Sequence, residues 1–292
     1  MSFSDILIIM VDLHTHSKIS DGYFSPAQLI REAKESGLSA IALTDHDTID
    51  GLESAEKEAV AIGINFIRGI EINIHWTGNP VLGYGGEIHL LGLGIRQPSP
   101  AFINAMGKLS NRRETRNREI LNRMNELKMN IVWEDVLAVS GGHSVGRPHF
   151  ADLLVEKKIV KSQGQAFSKY LGIGKPLYVP KKGIGFAEAC AIIRESGGIP
   201  ILAHPESLFI GRSRLPALIR DLKEMGLAGI EAWHPMIKAN SCRFWEKLCK
   251  SLNLYITEGS DFHALSKGQR LGFSNPGRKI DASILEALPE LG

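Results

Sequence analysis

His14 and His16 stand two residues apart at the end of an apolar run, in Asp12-Leu13-His14-Thr15-His16-Ser17. In a β-strand successive side chains alternate faces, so both imidazoles point the same way. Two neutral imidazoles at the mouth of a strand form half of a metal site. Metal-assisted hydrolysis needs such Lewis bases, held rigidly, with open positions for water and substrate. The chain repeats the placement. Asp21 follows the first pair, and His46, Glu71, His89, His204, Asp261 and His263 each stand in or just after an apolar run. Asp261-Phe262-His263 repeats the same-face logic of His14-Thr15-His16. These ligands exceed what one ion takes, and a carboxylate such as Glu71 can bridge two. Asp12 and Asp45 fit as groups that orient the imidazoles, with Asp45 as an alternative direct ligand. His75, His143 and His234 read as hydrogen-bonded core histidines.

The elements that must position these groups follow from the apolar runs. Strands are expected over 5–13, 39–44, 64–70, 87–93, 198–203, 228–233 and 254–257, each ending at polar punctuation. Helical patterns lie between most of them, over 25–36, 52–61 and 186–195. Ser25-Pro26 provides an N-cap with proline at the first helical position, and Gly37 a stop. Alternating strands and helices argue for a parallel sheet, and about seven units favour a closed α/β barrel, whose functional groups sit at the C-terminal strand ends. The stretch from Pro98 to Pro180 reads differently, with a charged helix over 104–128, shorter helices over 133–139 and 151–155, and a Gly-rich loop over 140–149. The expected organisation is one discontinuous barrel domain, 1–98 and 180–292, with a helical insertion, 99–179, over the active site.

Bulk properties narrow the class. The chain has 292 residues, 43% hydrophobic and 23% charged, enough for a sizeable core without disulfides. A net charge of +2 does not mark a tail-type nucleic-acid binder. Its 3 cysteines form no C-x-x-C and read as reduced thiols in a cytoplasmic protein, which leaves metal ligation to histidine and carboxylates. No apolar run reaches membrane-span length, and no protein partner is indicated.

Asp-Leu-His-Thr-His-Ser, Leu-Thr-Asp-His-Asp, Gly-Ile-Glu-Ile-Asn, Ile-His-Leu-Leu-Gly, Ala-His-Pro and Gly-Ser-Asp-Phe-His occur in this order over residues 8–265. Together they resemble the PHP (polymerase and histidinol phosphatase) family of metal phosphoesterases. The resemblance implies a distorted (β/α)7 barrel and two or three divalent ions. His14, His16, Glu71 and Asp261 would hold one, Glu71, His89 and His204 the second, and Asp21, His46 and His263 the third. Asp21 stands where many relatives carry histidine, and this harder oxygen ligand favours Mn²⁺ over Zn²⁺ or Fe²⁺. Gly-Arg-Pro-His-Phe-Ala over 146–151 resembles one bacterial branch, the 3',5'-nucleoside bisphosphate phosphatases and the RNase AM (TrpH-type) exoribonucleases.

A substrate with two phosphates needs a second anion pocket, which arginine suits by its bidentate fork. Arg147 in the Gly-rich loop and Arg116 on the long helix are the candidates, with Ser144 adding a donor and His149 binding substrate or orienting Arg147. The other arginines of that helix read as a solvated face paired with Glu114 and Glu119. Lys18 is expected at the scissile phosphate. His234, with Trp233, is a candidate for the nucleoside pocket. The expected reaction is removal of the 3'-phosphate from a nucleoside 3',5'-bisphosphate such as pAp by a metal-bridging hydroxide. The alternatives are 5'-to-3' exonuclease action on short 5'-phosphorylated RNA, histidinol phosphatase activity, and a non-catalytic scaffold. No side chain stands out as the general acid.

Overall fold

The computed structural model describes residues 9–76, 87–140, 145–265, 269–275 and 277–291. Ser144 and His143 lie outside the described residues. In chain order the elements are β1 (Met10–Asp12), α1 (Pro26–Glu35), β2 (Leu38–Leu43), α2 (Leu52–Ile62), β3 (Asn65–Ile74), β4 (Ile88–Leu93), α3 (Pro100–Glu126), α4 (Trp133–Ser140), α5 (Arg147–Glu156), α6 (Gln163–Ala166), α7 (Phe186–Glu195), β5 (Ile199–Leu202), α8 (Leu215–Glu224), β6 (Gly229–Trp233), α9 (Ala239–Leu252) and β7 (Tyr255–Glu258). Helix α1 begins as expected. The Ser25 hydroxyl accepts from Gln28 N and the Gln28 side chain accepts from Ser25 N, with Pro26 at the first position.

β1 to β7 form one mixed, mostly parallel sheet in sequence order. β4 runs antiparallel to both β3 and β5, which corrects the all-parallel expectation. A parallel partner for β3 would need a long crossover, normally a helix. The segment between β3 and β4 instead carries Gly78, Pro80, Gly83, Gly85 and Gly86.

Alternation along each strand sends one face outward to helices and one inward. Ile41 and Leu43 pack with α1 and α2, while Ala42 faces inward. Ile70, Ile72 and Ile74 face outward, and Ile67 inward. One inner cluster gathers Ala42, Ile67, Leu91, Leu93, Ile199 and Ile201 from four strands, with Tyr255 of β7 packed against it. The sheet is therefore rolled around an apolar interior, as in a distorted barrel. Its two edges meet beyond β1 and β7, where Thr15 and Phe262 form a parallel bridge and His16 N donates to Phe262 O at 2.9 Å. No continuous ladder joins β1 to β7 among the described residues.

Between β4 and β5, the first half of α3 packs Phe102, Met106 and Leu109 into the main core. Its second half contributes Ile120 and Met124 to a separate helical core with Val136, Phe150 and Leu154. One helix thus belongs to both bodies. Among the described residues no helix is long and apolar enough to cross a membrane.

Cys190, Cys242 and Cys249 are free and buried, and burial pushes the thiols of Cys190 and Cys249 up to about 12. At pH 8 both remain protonated as well as inaccessible. Maleimide labelling followed by mass spectrometry is expected to modify none of the three in the native protein and all of them in denaturant. Rapid native labelling would contradict this packing.

Candidate metal centre

The inward face that is apolar in the barrel interior becomes ionisable at one end. In β3, Glu71 falls two positions after Gly69 and four after inward Ile67. In β4, His89 falls two before inward Leu91. In β6, Glu231 lies between outward Ile230 and Ala232. His14 and His16 follow β1, His46 follows β2, His204 follows β5, and Asp261 and His263 follow β7. Their ligand atoms form four overlapping sets, each within 4.8 Å: His14, His16 and Asp261; His14, Glu71 and His204; His46, Glu71 and His89; and His16, Asp21, His46 and His263. The structure brings together all nine residues singled out from the sequence.

Glu71 is the hub and has no exposed surface. Its Oε1 accepts from His89 Nδ1 and His204 Nε2, both at 2.8 Å. Its Oε2 lies 2.8 Å from His46 Nδ1, 3.4 Å from His16 Nε2 and 3.5 Å from His14 Nε2. Asp261 Oδ1 is 3.1 Å from His16 Nε2 and 3.4 Å from His14 Nε2, and Asp21 Oδ1 is 3.2 Å from His263 Nε2.

These contacts fit divalent cations. His14 Nε2 and His16 Nε2 lie 3.1 Å apart, and two imidazole lone pairs at that distance need a shared proton or cation. His46 Nδ1 and Glu71 Oε2 face each other at 2.8 Å, yet both are buried and form no hydrogen bond. The donor set, imidazoles with carboxylates, suits divalent first-row metals. Without an ion the balance falls on protons. Burial alone would raise Glu71, but His46, His89 and His14 hold its carboxyl well below the usual range. Asp261 is likewise held low by His263 and His14 against its burial. Burial would lower His14, but Glu231, Glu71 and Asp261 raise it well above the ordinary value. Burial wins at His46 and brings it down to about 4.

Glu231 was not apparent as a site residue from the sequence. It is fully buried, accepts from His14 Nδ1 at 2.9 Å and accepts from His204 N at 2.7 Å. The signal was present: a lone carboxylate in an apolar strand is costly unless it is bonded. Glu231 also steadies a strained backbone, since the His204 whose amide it holds takes φ 25°. Gly259 permits this closeness, because a Cβ there would lie 2.3 Å from His14 Cβ.

Asp12 and Asp45 correct the expectation that they orient rings. Asp12 accepts from the amides of His14, Ser260 and Gly272 and so ties β1 to the segment after β7. Asp45 accepts from Ser17 N, Ser17 Oγ and Ser20 Oγ and so fixes the turn after His16. That turn also carries Lys18 away from the centre. Strand alternation ends at Ser17, and Lys18 is exposed with its ammonium over the Tyr23 ring.

Beside the ligands lies a cavity of about 280 Å³, walled by Arg113, Arg116, Arg147 and Lys181 as well as by His46, His89 and Asp261. Arg147 opens α5 and donates to Glu87 at 2.7 Å. His149 accepts from Gly146 N and shapes that helix start, without lining the cavity. Arg116 is buried, and its Nε has no partner. Burial beside Arg113 and Arg147 lowers its guanidinium to about 10. Burial lowers the Lys181 ammonium as well. Arg113, expected on a solvated face, instead pairs with Asp47 at 2.5 Å, whereas Arg118 and Arg123 do pair with Glu114 and Glu119. Arg116 continues the buried stripe of Phe102, Met106 and Leu109, a periodic signal for its inward position. Lys181 had no such signal.

His234 is buried behind Asp261, 3.4 Å from Oδ2, and does not line the cavity. Trp233 is core, its Nε1 donating to Glu246 and its ring covered by Arg278. His75 lies exposed beyond β3.

The model of the PHP domain matches residues 12–171. The 5'-3' exoribonuclease Rnm of Salmonella typhimurium is 32% identical over 257 residues, 87% of this chain and 85% of that protein. The 3',5'-nucleoside bisphosphate phosphatase of Chromobacterium violaceum is 31% identical over 261 residues, 89% of each. A solved amidohydrolase from Chromobacterium violaceum, with bound sulfate and no metal, superposes with a TM-score of 0.84 at 28% identity over 96% of both chains.

Glu231→Gln cannot accept from both His14 and His204. Divalent-metal affinity is expected to fall about 10- to 100-fold, the range for losing a group that orients a ligand. Competition with a chelating dye measures it, and unchanged affinity would remove Glu231 from that role.

Proposed function

The chain belongs to the PHP domain family, and from that premise we propose that it removes the 3'-phosphate from nucleoside 3',5'-bisphosphates such as pAp, giving the 5'-nucleotide and phosphate. That it is a hydrolase of phosphate esters follows from the family and from its curated relatives. The observation that carries the finer reading is the wall of Arg113, Arg116, Arg147 and Lys181 facing the metal-ligand group across one cavity. A monophosphate needs one anion site, and a bisphosphate needs two.

His14, His16, Glu71 and Asp261 would hold one ion, Glu71, His89 and His204 a second, and Asp21, His46 and His263 a third. Bound there, divalent metal supplies the Lewis acidity that activates water at neutral pH and offsets phosphoryl charge. Carboxylates in every set favour Mn²⁺ over Zn²⁺ or Fe²⁺. The protein's own part is to hold the substrate. The four cations bind the 5'-phosphate, displacing Glu87 from Arg147, and so fix the 3'-phosphate over the ligand group. Glu87 keeps the cations paired beforehand. It is 3.6 Å from Lys181 Nζ as well, and despite partial burial Lys181 holds its carboxyl far below the usual range. The first turn of α5 adds its positive end at Gly146 and Arg147. The barrel over 1–98 and 180–292 thus supplies the ligands and Lys181, and the 99–179 insertion supplies the three arginines of the second anion site. The buried free thiols fit a cytoplasmic setting. Convergence of all nine ligand residues counts against a scaffold role.

The second reading, 5'-to-3' exoribonuclease action, uses the same 5'-phosphate site, and three relatives carry that name. With Mn²⁺ the protein is expected to release phosphate from pAp. Arg147→Ala is expected to lower kcat/KM for pAp roughly 10- to 100-fold, the range for losing a charged hydrogen bond, while hydrolysis of an aryl phosphate changes little. Equal losses would remove Arg147 from the second anion site, and good hydrolysis of other monoesters without any from pAp would overturn the reading.

A further inference from the structure

A second cavity, of about 590 Å³, opens between α3 and the loop after β2, and it shares His46 and Arg113 with the cavity at the metal-ligand group. Its α3 wall is a single face: Ile103, Met106, Gly107, Ser110 and Arg113 recur at helical spacing, and Arg113 joins it to the cationic wall. From Ile103 to Arg113 that face runs about 15 Å. It is basic at Arg113, the end that borders the ligand group, and apolar at the other end, where Ile103 is 54% exposed.

Gly107 has no packing reason to be glycine. It lies inside α3, where glycine disfavours the helix, and a Cβ added there would meet nothing within 4 Å. Its missing side chain leaves the groove open. The opposite wall carries Ile49 and Thr48, with the carboxylate of Asp50 at the rim. Apolar walls with hydroxyls suit a base and a ribose, and the carboxylate disfavours a further phosphate.

We propose that this groove is a nucleoside subsite for the residue esterified through its 5'-oxygen to the attacked phosphorus, and that Gly107 sets its size. The inference rests on the phosphoesterase reading above, with the 5'-phosphate in the cationic wall. Water then adds to phosphorus, the bond from phosphorus to the 3'-oxygen breaks, and the 3'-oxygen takes a proton from that water. With pAp the other product is phosphate. With the 5'-phosphorylated dinucleotide pApA it is a second 5'-nucleotide, whose nucleoside occupies the groove.

Enlarging residue 107 tests this without touching a ligand or the anion wall. Gly107→Ala, Gly107→Leu and Gly107→Trp all favour the helix more than glycine does, and an unchanged or raised Tm verifies folding. On pApA, kcat/KM is expected to fall with side-chain volume, reaching about 10- to 100-fold for Trp, the range for loss of one base contact. On pAp all three variants are expected to match the wild type. Losses on both substrates alike, or on neither, would overturn the subsite. A wild type that hydrolyses pAp but not pApA would overturn it while leaving the phosphatase reading intact. A wild type that hydrolyses neither would remove both.

Discussion

One buried carboxylate governs the functional end of this fold. Glu71 has no contact with solvent, and five imidazoles, those of His14, His16, His46, His89 and His204, meet its two oxygens within 3.5 Å. A charge at that depth is tolerated only when opposite charge and hydrogen bonds surround it. The imidazoles come from four strands or strand ends, so β1, β2 and β5 must end, and antiparallel β4 must begin, at the same level around β3. β6 and β7 complete the ring with Glu231 and Asp261. The apolar interior layer sets the strand register, and the ionisable layer lies beyond it at one end, four residues after Ile67 in β3 and two before Leu91 in β4.

That arrangement is crowded with acceptors and lone pairs, and its internal bonds do not satisfy it. His46 and Glu71 approach without bonding, and His14 and His16 face each other nitrogen to nitrogen. Such frustration is stable only where something outside the chain resolves it, and divalent cations have the required charge and ligand preference. The supporting shell is organised for stiffness. Asp12 and Asp45 hold backbone and loops, and Glu231 holds one ring and one strained amide.

The cationic wall is a separate construction. Arg113 and Arg116 come from α3, Arg147 from the start of α5 and Lys181 from the segment before α7. α3 joins them to the barrel because its first half is part of the main core and its second half anchors the small helical core. Placing four cations beside a ligand group rich in carboxylates divides the end of the barrel into two electrostatic regions. Glu87 pairs with Arg147 and Lys181, and Asp47 with Arg113.

Local chemistry and short-range periodicity are written in the chain. Alternation in a strand fixes which face a residue takes, so all seven strands of the sheet and the nine clustered histidines and carboxylates were legible from apolar runs and what ended them. The Ser25 cap and the helical stretches followed from the same local rules. Strand direction was not legible at β4, because it depends on which neighbour pairs with which edge. The roles of Asp12, Asp45 and Lys18 were misjudged where the chain leaves regular structure, since alternation then no longer tells where a side chain points. Arg113, Lys181 and Glu87 join one wall only because α3, α5 and the segment before α7 pack together over the barrel. The sequence by itself determined which histidines and carboxylates cluster and the class of chemistry, through motifs and periodicities a few residues long. Only the tertiary structure decided which cations line the cavity beside that cluster and how much room lies beyond it, because those depend on contacts between residues far apart in the chain.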